Sequence, residues 1–370
     1  MNRRKFLKTS CASCVVMCGA LPAVKWNNLI FAADNSFEAR YYEKLPQRKI
    51  RCKLCPRECV IDDLERGYCG VRENRGGIYY SLVYGKPCSA NVDPIEKKPL
   101  FHFLPGTQSF SIATAGCNVM CKFCQNWEIS QSQPEQIRSV DMPPKAVAEI
   151  SARNRCASIA YTYSEPVVFA EYMYDTAAAG HEKRIKSVMI SNGYINPKPM
   201  QDLCQVLDAV KIDLKAFTEK FYRELVSGEL RPVLDTLVLL RKQNMWTEIV
   251  YLVIPGQNDA AGELSEMCRW IVTELGPDTP VHFTRFYPQY RLTNLPATPI
   301  PTLKKARQIG LDSGLRFVYT GNIPGDPGEN TYCPSCGAVL IRRLGFNVIE
   351  NALQNNKCSR CQHPIPGVWS

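Results

Sequence analysis

The chain has 370 residues, 45% hydrophobic and 22% charged, the balance of a folded protein of one large domain with appendages or of two domains. Its net charge of +10 comes from scattered basic residues, and no tract has the density of a nucleic-acid-binding arm, so no nucleic-acid partner is expected. Cysteine is the outlier: 18 residues in clusters of CxxC-type spacing, which in a chain this long point to metal ligands or redox groups rather than a disulfide scaffold.

In chain order, residues 1–33 come first. Arg3 and Arg4 precede Phe6-Leu7-Lys8 and a moderately apolar, small-residue stretch, a pattern resembling a twin-arginine export signal. The stretch is too short and interrupted to span a membrane, so no integral span is expected in the mature chain. Metal loading is expected in the cytoplasm, with export to the periplasm or cell envelope if the signal is used. Cys11, Cys14 and Cys18 fall in this segment and are left out of the metal count. Residues 34–107 form a cysteine-rich module. "CKLCPRECVIDDLERGYCG" places Cys52, Cys55, Cys59 and Cys69 within eighteen residues, enough for one tetrahedral zinc or one auxiliary iron–sulfur cluster, and spacing alone does not choose.

From 108 to 324, strand-like runs alternate with helical patterns. Six strands are expected, at "SFSIATA", "ASIAYTY", "SVMISNG", "AVKIDLK", "WTEIVYLVI" and "VHFTRFYP". Met200, Leu203, Cys204 and Leu207 mark one helix; Leu264, Met267, Cys268, Ile271 and Leu275 mark another. Repeated βα units give a mainly parallel sheet or barrel. Cys117, Ser164-Glu165, Ser191-Asn192 and Asp213/Lys215 all fall at or just past strand C-termini. That placement favours an α/β fold built on a partial (βα)6 TIM-like barrel over a doubly wound sheet. Residues 325–370 open on a Pro/Gly linker and carry Cys333, Cys336, Cys358 and Cys361 as CxxC-x21-CxxC. This reads as a zinc-ribbon-like module, too small to fold without a staple; two disulfides are the alternative.

The loop after the first strand, "TAGCNVMCKFCQNW", packs Cys117, Cys121 and Cys124 into eight residues. Structural zinc closes on four ligands, and iron–sulfur clusters are usually held by four thiolates. A [4Fe–4S] cube held by three leaves one iron open for a small chelating molecule. S-adenosylmethionine has an adjacent amino and carboxylate pair, and its radical chemistry is an established cofactor role. A three-cysteine zinc site completed by a distant histidine is the other reading of the spacing.

CxxxCxxC after the first strand of a βα barrel, with aromatic Phe123 before the last cysteine, resembles the radical SAM superfamily. The resemblance implies a [4Fe–4S] cluster on Cys117, Cys121 and Cys124 with S-adenosylmethionine on its open iron. "YTYSEP" stands where that superfamily has a Gly-Gly-Glu-Pro-like segment holding the methionine ammonium, implying Ser164 and Glu165. Here the glycine pair is missing, and Glu165 has a second reading as a helix cap. "SNGY" resembles the ribose-contacting segment of activase-type members, implying Ser191 and Asn192, and is otherwise a plain turn. "KIDLK" resembles the Asp-Leu-Lys segment of glycyl-radical activating enzymes. It implies roles for Asp213 and Lys215, which period-2 geometry puts on one face; a structural ion pair is the alternative. Where activases often carry a histidine beyond a proline, Pro288 is followed by Gln289 and Tyr290, and that role is unassigned; His282 lies earlier in the strand.

A closer resemblance is to the radical SAM enzymes of the AmmeMemoRadiSam system, relatives of the pyruvate formate-lyase activating enzymes. It rests on "CKLCPRECVI", "GYCGVREN", "DPIEKKPLFHFLPG", "GCNVMCKFCQNWEISQ", "YTYSEP", "YCPSCG" and "IPGVW", spanning residues 52 to 369. It implies reductive cleavage of S-adenosylmethionine and hydrogen abstraction by the resulting 5′-deoxyadenosyl radical. A low-potential electron donor of ferredoxin or flavodoxin type is implied too, and an unknown small-molecule, lipid or protein substrate. The alternatives are an activase acting on a glycine of a partner protein and, from another class, a multi-zinc binding protein without catalysis.

Overall fold

The computed structural model describes residues 37–370, which belong to one unit; the expected export signal lies outside the described residues. Its centre is an eight-stranded sheet. Strand β1 (Ser89–Pro94) runs antiparallel to β2 (Gln108–Ala113). The rest are parallel: β3 (Ser158–Tyr161), β4 (Lys186–Ser191), β5 (Ala209–Asp213), β6 (Trp246–Val253), β7 (Val281–Arg285) and β8 (Val318–Gly321). Spatial order follows chain order from β1 to β8. A doubly wound sheet reverses its order at a switch point; here each new strand is laid at the same edge.

Between strands lie α1 (Pro144–Arg153), α2 (Ala170–Glu182), α3 (Pro197–Leu203), α4 (Leu230–Lys242), α5 (Ala261–Glu274) and α6 (Ile300–Asp312). Proline in the first turn starts α1, α3 and α6, where the missing N–H costs nothing. Helix α5 buries Leu264, Met267, Cys268 and Ile271, the face its periodicity indicates. Two findings differ from expectation. Helix α3 stops at Leu203, because the chain must turn to enter β5 at Ala209; Leu207 reaches the core from that turn. The parallel set has seven strands rather than six, the extra one being β8 at the edge of the sheet.

"DPIEKKPLFHFLPG" closes the sheet at the strands' N-terminal end. Phe101 and His102 donate their backbone N–H groups to Glu248 of β6 (3.0 and 2.8 Å), which also meets His282 Nε2 at 2.7 Å. His282 is thus a buried core histidine, its pKa lowered by burial against the pull of Glu248. The tail straps this plug: Leu104 N–H donates to Val368 O and Val368 N–H to His102 O, both at 2.7 Å. Buried Arg343 of the C-terminal strand Val339–Leu344 donates to Phe101 O at 2.8 Å. The N-terminal module is fixed by Arg72, fully buried, which grips Glu171 of α2 with two guanidinium nitrogens and donates Nε to Val168 O at 3.1 Å.

Candidate metal and cofactor site

The three-cysteine loop leaves the C-terminal end of β2. Gly116 opens it at φ +94°, a conformation that favours glycine, and a Cβ there would lie 2.5 Å from Val71 Cγ1 and 2.8 Å from Cys69 O. Cys121 is buried; Cys117 and Cys124 are partly so. Asn118, between the first two cysteines, donates to Tyr194 O (2.6 Å) and accepts from Asn192 Nδ2 (2.9 Å), tying the loop to the segment after β4. Ser130 Oγ sits 3.1 Å from Cys124 Sγ, and Asn126 donates to Tyr163 O at 2.9 Å.

All three cysteines line one cavity of about 460 Å³, together with Ser164, Glu165, Asn192, Asp213 and Lys215. Five of the six resemblance-derived cofactor positions line this cavity, and the sixth, Ser191, reaches it only through Glu165. Ser164 is buried on the wall, and its Oγ has no hydrogen-bond partner among the described residues. Glu165 is buried and held by three donors: Val167 N–H (3.1 Å) and Ser191 Oγ–H (2.6 Å) on Oε1, and Asn192 N–H (2.8 Å) on Oε2. The capping reading and the cavity placement are both realised in this one carboxylate. Burial pushes its pKa up to about 7, against those three hydrogen bonds. Ser191 spends its hydroxyl on Glu165, and Asn192 its side chain on Asn118 and on Tyr194 N–H (2.8 Å). Asp213 pairs with Lys215 (2.9 Å) and also with Lys211. Burial would raise the Asp213 pKa, but the two ammonium groups more than offset it and hold it at about 2.

The donor set suits a thiolate-bound metal. Burial drives the Cys117 thiol well above its ordinary range and Cys121 up to about 12, the latter despite Lys215 nearby. Such thiols resist ionisation alone and take the thiolate form when a metal supplies the opposing charge. The orphaned Ser164 hydroxyl and the carboxylates of Glu165 and Asp213 suit a ligand with ammonium and hydroxyl groups.

Sequence reasoning missed Lys211, Asn118 and Lys98. Lys211 was within reach, since period 2 extends from Asp213 backwards as well as forwards. Lys98 lines the cavity, bonded to Asp93 at 2.6 Å, with burial lowering its pKa to about 8 against that partner; its motif gave no sign of where the chain would place it.

At the other end of the chain, Cys333, Cys336, Cys358 and Cys361 bring their sulfurs within 4.8 Å of one another, with Cys333–Cys361 at 3.6 Å and Cys336–Cys358 at 3.7 Å. Four thiolates around one tetrahedral ion with bonds of about 2.3 Å stand about 3.8 Å apart, so the group can hold a metal. The described cysteines are free thiols, the C-terminal four included. Cys88 bonds to Ala113 O (3.5 Å), and Cys268 is core.

Residues 111–270 match the profile described as the radical SAM superfamily. An uncharacterized protein of Methanocaldococcus jannaschii is 46% identical over 330 residues, 89% of this chain and 98% of that one. The pyruvate formate-lyase 1-activating enzyme of Escherichia coli K12 is 24% identical over 163 residues, 42% of this chain and 65% of that one. A radical SAM methyltransferase structure from Sphaerobacter thermophilus aligns with a TM-score of 0.48 at 15% identity, over 61% of this chain and 71% of that one.

Proposed function

We propose that this chain, which belongs to the radical SAM superfamily, works on S-adenosylmethionine held in the cavity beside Cys117, Cys121 and Cys124. Members of that superfamily are enzymes, so the non-catalytic zinc-binding alternative falls away. When bound there, a [4Fe–4S] cluster supplies one electron that cleaves S-adenosylmethionine to methionine and a 5′-deoxyadenosyl radical, which takes a hydrogen atom from the substrate. The observation carrying this reading is the convergence of three cysteines and an unpartnered buried hydroxyl, Ser164, on one cavity.

The chain's own residues have distinct tasks in this reading. The three cysteines hold the cluster. Ser164 donates to the bound cofactor, and Glu165 offers the unused acceptor capacity of Oε2 to its ammonium. Ser191 and Asn192 act as positioning residues, one fixing Glu165 and the other the cysteine loop. Asp213, held ionised by Lys211 and Lys215, keeps a fixed polar wall facing the cavity, and the surrounding sheet excludes water from the reaction. The sheet curls as a partial barrel around this space, and the C-terminal four cysteines hold zinc in a ribbon.

Full-chain protein reconstituted with iron, reduced and mixed with S-adenosylmethionine should release 5′-deoxyadenosine, and Cys117→Ala should not. Undiminished release from that variant sinks the assignment.

Within this class, the "DPIEKKPLFHFLPG" and "IPGVW" motifs support membership of the AmmeMemoRadiSam group. A second reading is an activase that generates a radical on a partner protein's glycine. The similarity to the Escherichia coli activating enzyme and the cavity-facing Asp213-Leu214-Lys215 segment favour it. Electrons would come from a ferredoxin- or flavodoxin-type donor. Export through the twin-arginine route after loading in the cytoplasm is the localisation this reading takes, as that route carries folded proteins.

A further inference from the structure

Cys52, Cys55, Cys59 and Cys69 form a set of their own, each within electrostatic reach of others in the group. Yet among the described residues only the C-terminal cysteines bring three or more ligand atoms within 4.8 Å of one another. A single tetrahedral zinc demands thiolate sulfurs about 3.8 Å apart. The C-terminal set meets that demand, at 3.6 and 3.7 Å; the N-terminal set, in the same molecule, does not. The same holds for Cys117, Cys121 and Cys124. Thiolates that each take a separate iron at the corner of a cube stand further apart than thiolates sharing one ion, so four cysteines near one another but not gathered around a single point suit a cube better than one zinc.

Its position gives the set a task. Cys69 O and Val71 press on Gly116, the residue before Cys117, so closely that no side chain fits between them. Arg57, between Cys55 and Cys59, donates Nε to Asn118 O at 2.6 Å and lays its guanidinium over Tyr68 at 3.5 Å. The two cysteine loops are therefore in direct contact through both of their flanks. Buried Arg72 acts electrostatically on Cys52 and Cys69, a fixed positive charge beside a group of thiolates.

We propose that Cys52, Cys55, Cys59 and Cys69 ligate a second [4Fe–4S] cluster that relays single electrons to the cluster in the Cys117–Cys124 loop. The relay rests on the reading of that loop given above. One electron leaves a reduced ferredoxin-type donor and takes the outer cluster from the 2+ to the 1+ state. It then passes inward, so the outer cluster returns to 2+ as the inner one becomes 1+; no bond or proton changes.

The test is metal analysis and low-temperature electron paramagnetic resonance on full chains loaded anaerobically. The native protein should hold about eight irons and one zinc per chain. Cys52→Ala/Cys55→Ala should hold about four irons, and its reduced signal should still change when S-adenosylmethionine is added. Cys117→Ala/Cys121→Ala/Cys124→Ala should also hold about four, with a signal indifferent to S-adenosylmethionine. Reduced [4Fe–4S] ferredoxin should reduce the remaining cluster of the N-terminal variant at least about tenfold more slowly than it reduces the native protein, while dithionite reduces both alike.

Iron unchanged in the N-terminal variant, or zinc lost in its place, overturns the cluster; an unchanged ferredoxin rate overturns the relay. Iron unchanged in the triple variant, with iron lost in the N-terminal one, would instead overturn the reading of the central loop. Should the N-terminal variant misfold, the native count decides: about four irons with two zincs contradicts the proposal.

Discussion

Ser164 keeps a buried hydroxyl on the cavity wall that has no hydrogen-bond partner among the described residues. An orphaned buried polar atom costs free energy until a ligand meets it, so Ser164→Ala should not lower the unfolding temperature of the ligand-free protein. The same change should weaken S-adenosylmethionine binding about two- to twelvefold by calorimetry, the worth of one neutral hydrogen bond. Equal affinity in the variant would remove Ser164 from the site. Glu165 gives a pH-dependent signature. Its pKa is raised to about 7, so the folded protein holds a carboxylic acid at pH 6 and a carboxylate at pH 8. Infrared difference spectra between those conditions should show a carbonyl band that Glu165→Gln lacks. A cationic ligand nearby favours the charged form, so S-adenosylmethionine should abolish the band at pH 6 with release of a proton. The positions of Ser164 and Glu165 were legible from "YTYSEP". That Ser191 would bond Glu165 and Asn192 would bond Asn118 was not, because those hydroxyl and amide groups choose partners 26 and 74 residues away.

At the scale of elements, the long, β-branched β6 and even the four-residue β3 were read, while β8, of the same length as β3, was missed. The cysteine-rich ends were read as appendages, but the C-terminal one is a strap on the sheet. Cys333 and Cys358 pack with Phe101, Phe317 and Tyr319, and the tail bonds to the plug on either side of Phe103. Metal at the C-terminal cysteines should therefore hold the plug in place. Removing that metal with a chelator should speed hydrogen exchange at the Leu104 and Val368 amides, followed by mass spectrometry, while the amides of β4 and β5 stay protected. Unchanged exchange at Leu104 and Val368 would show that the strap holds without the metal. This coupling was out of reach of sequence reasoning, since Arg343 and Phe101 meet across 242 residues.

For the whole molecule, monotonic strand order explains why one end of the sheet can gather a site and the other must be sealed. Strand C-termini deliver Cys117, Glu165, Asn192 and Asp213 to one cavity; N-terminal ends are filled by Glu248, His282 and His102. Clustering of polar residues at strand ends made the α/β class and the position of the site legible. The sealed end was not, because its buried charges come from segments whose motifs say nothing about depth. The central claim is that three cysteines leave one iron of a cluster free for S-adenosylmethionine. Electron–nuclear double resonance on the reduced full chain, with S-adenosylmethionine carrying 15N in its amino group, addresses that claim most directly. The account predicts a 15N coupling to the cluster spin, present in the native protein and in Cys52→Ala/Cys55→Ala. A reduced cluster that shows no 15N coupling at saturating S-adenosylmethionine would contradict it.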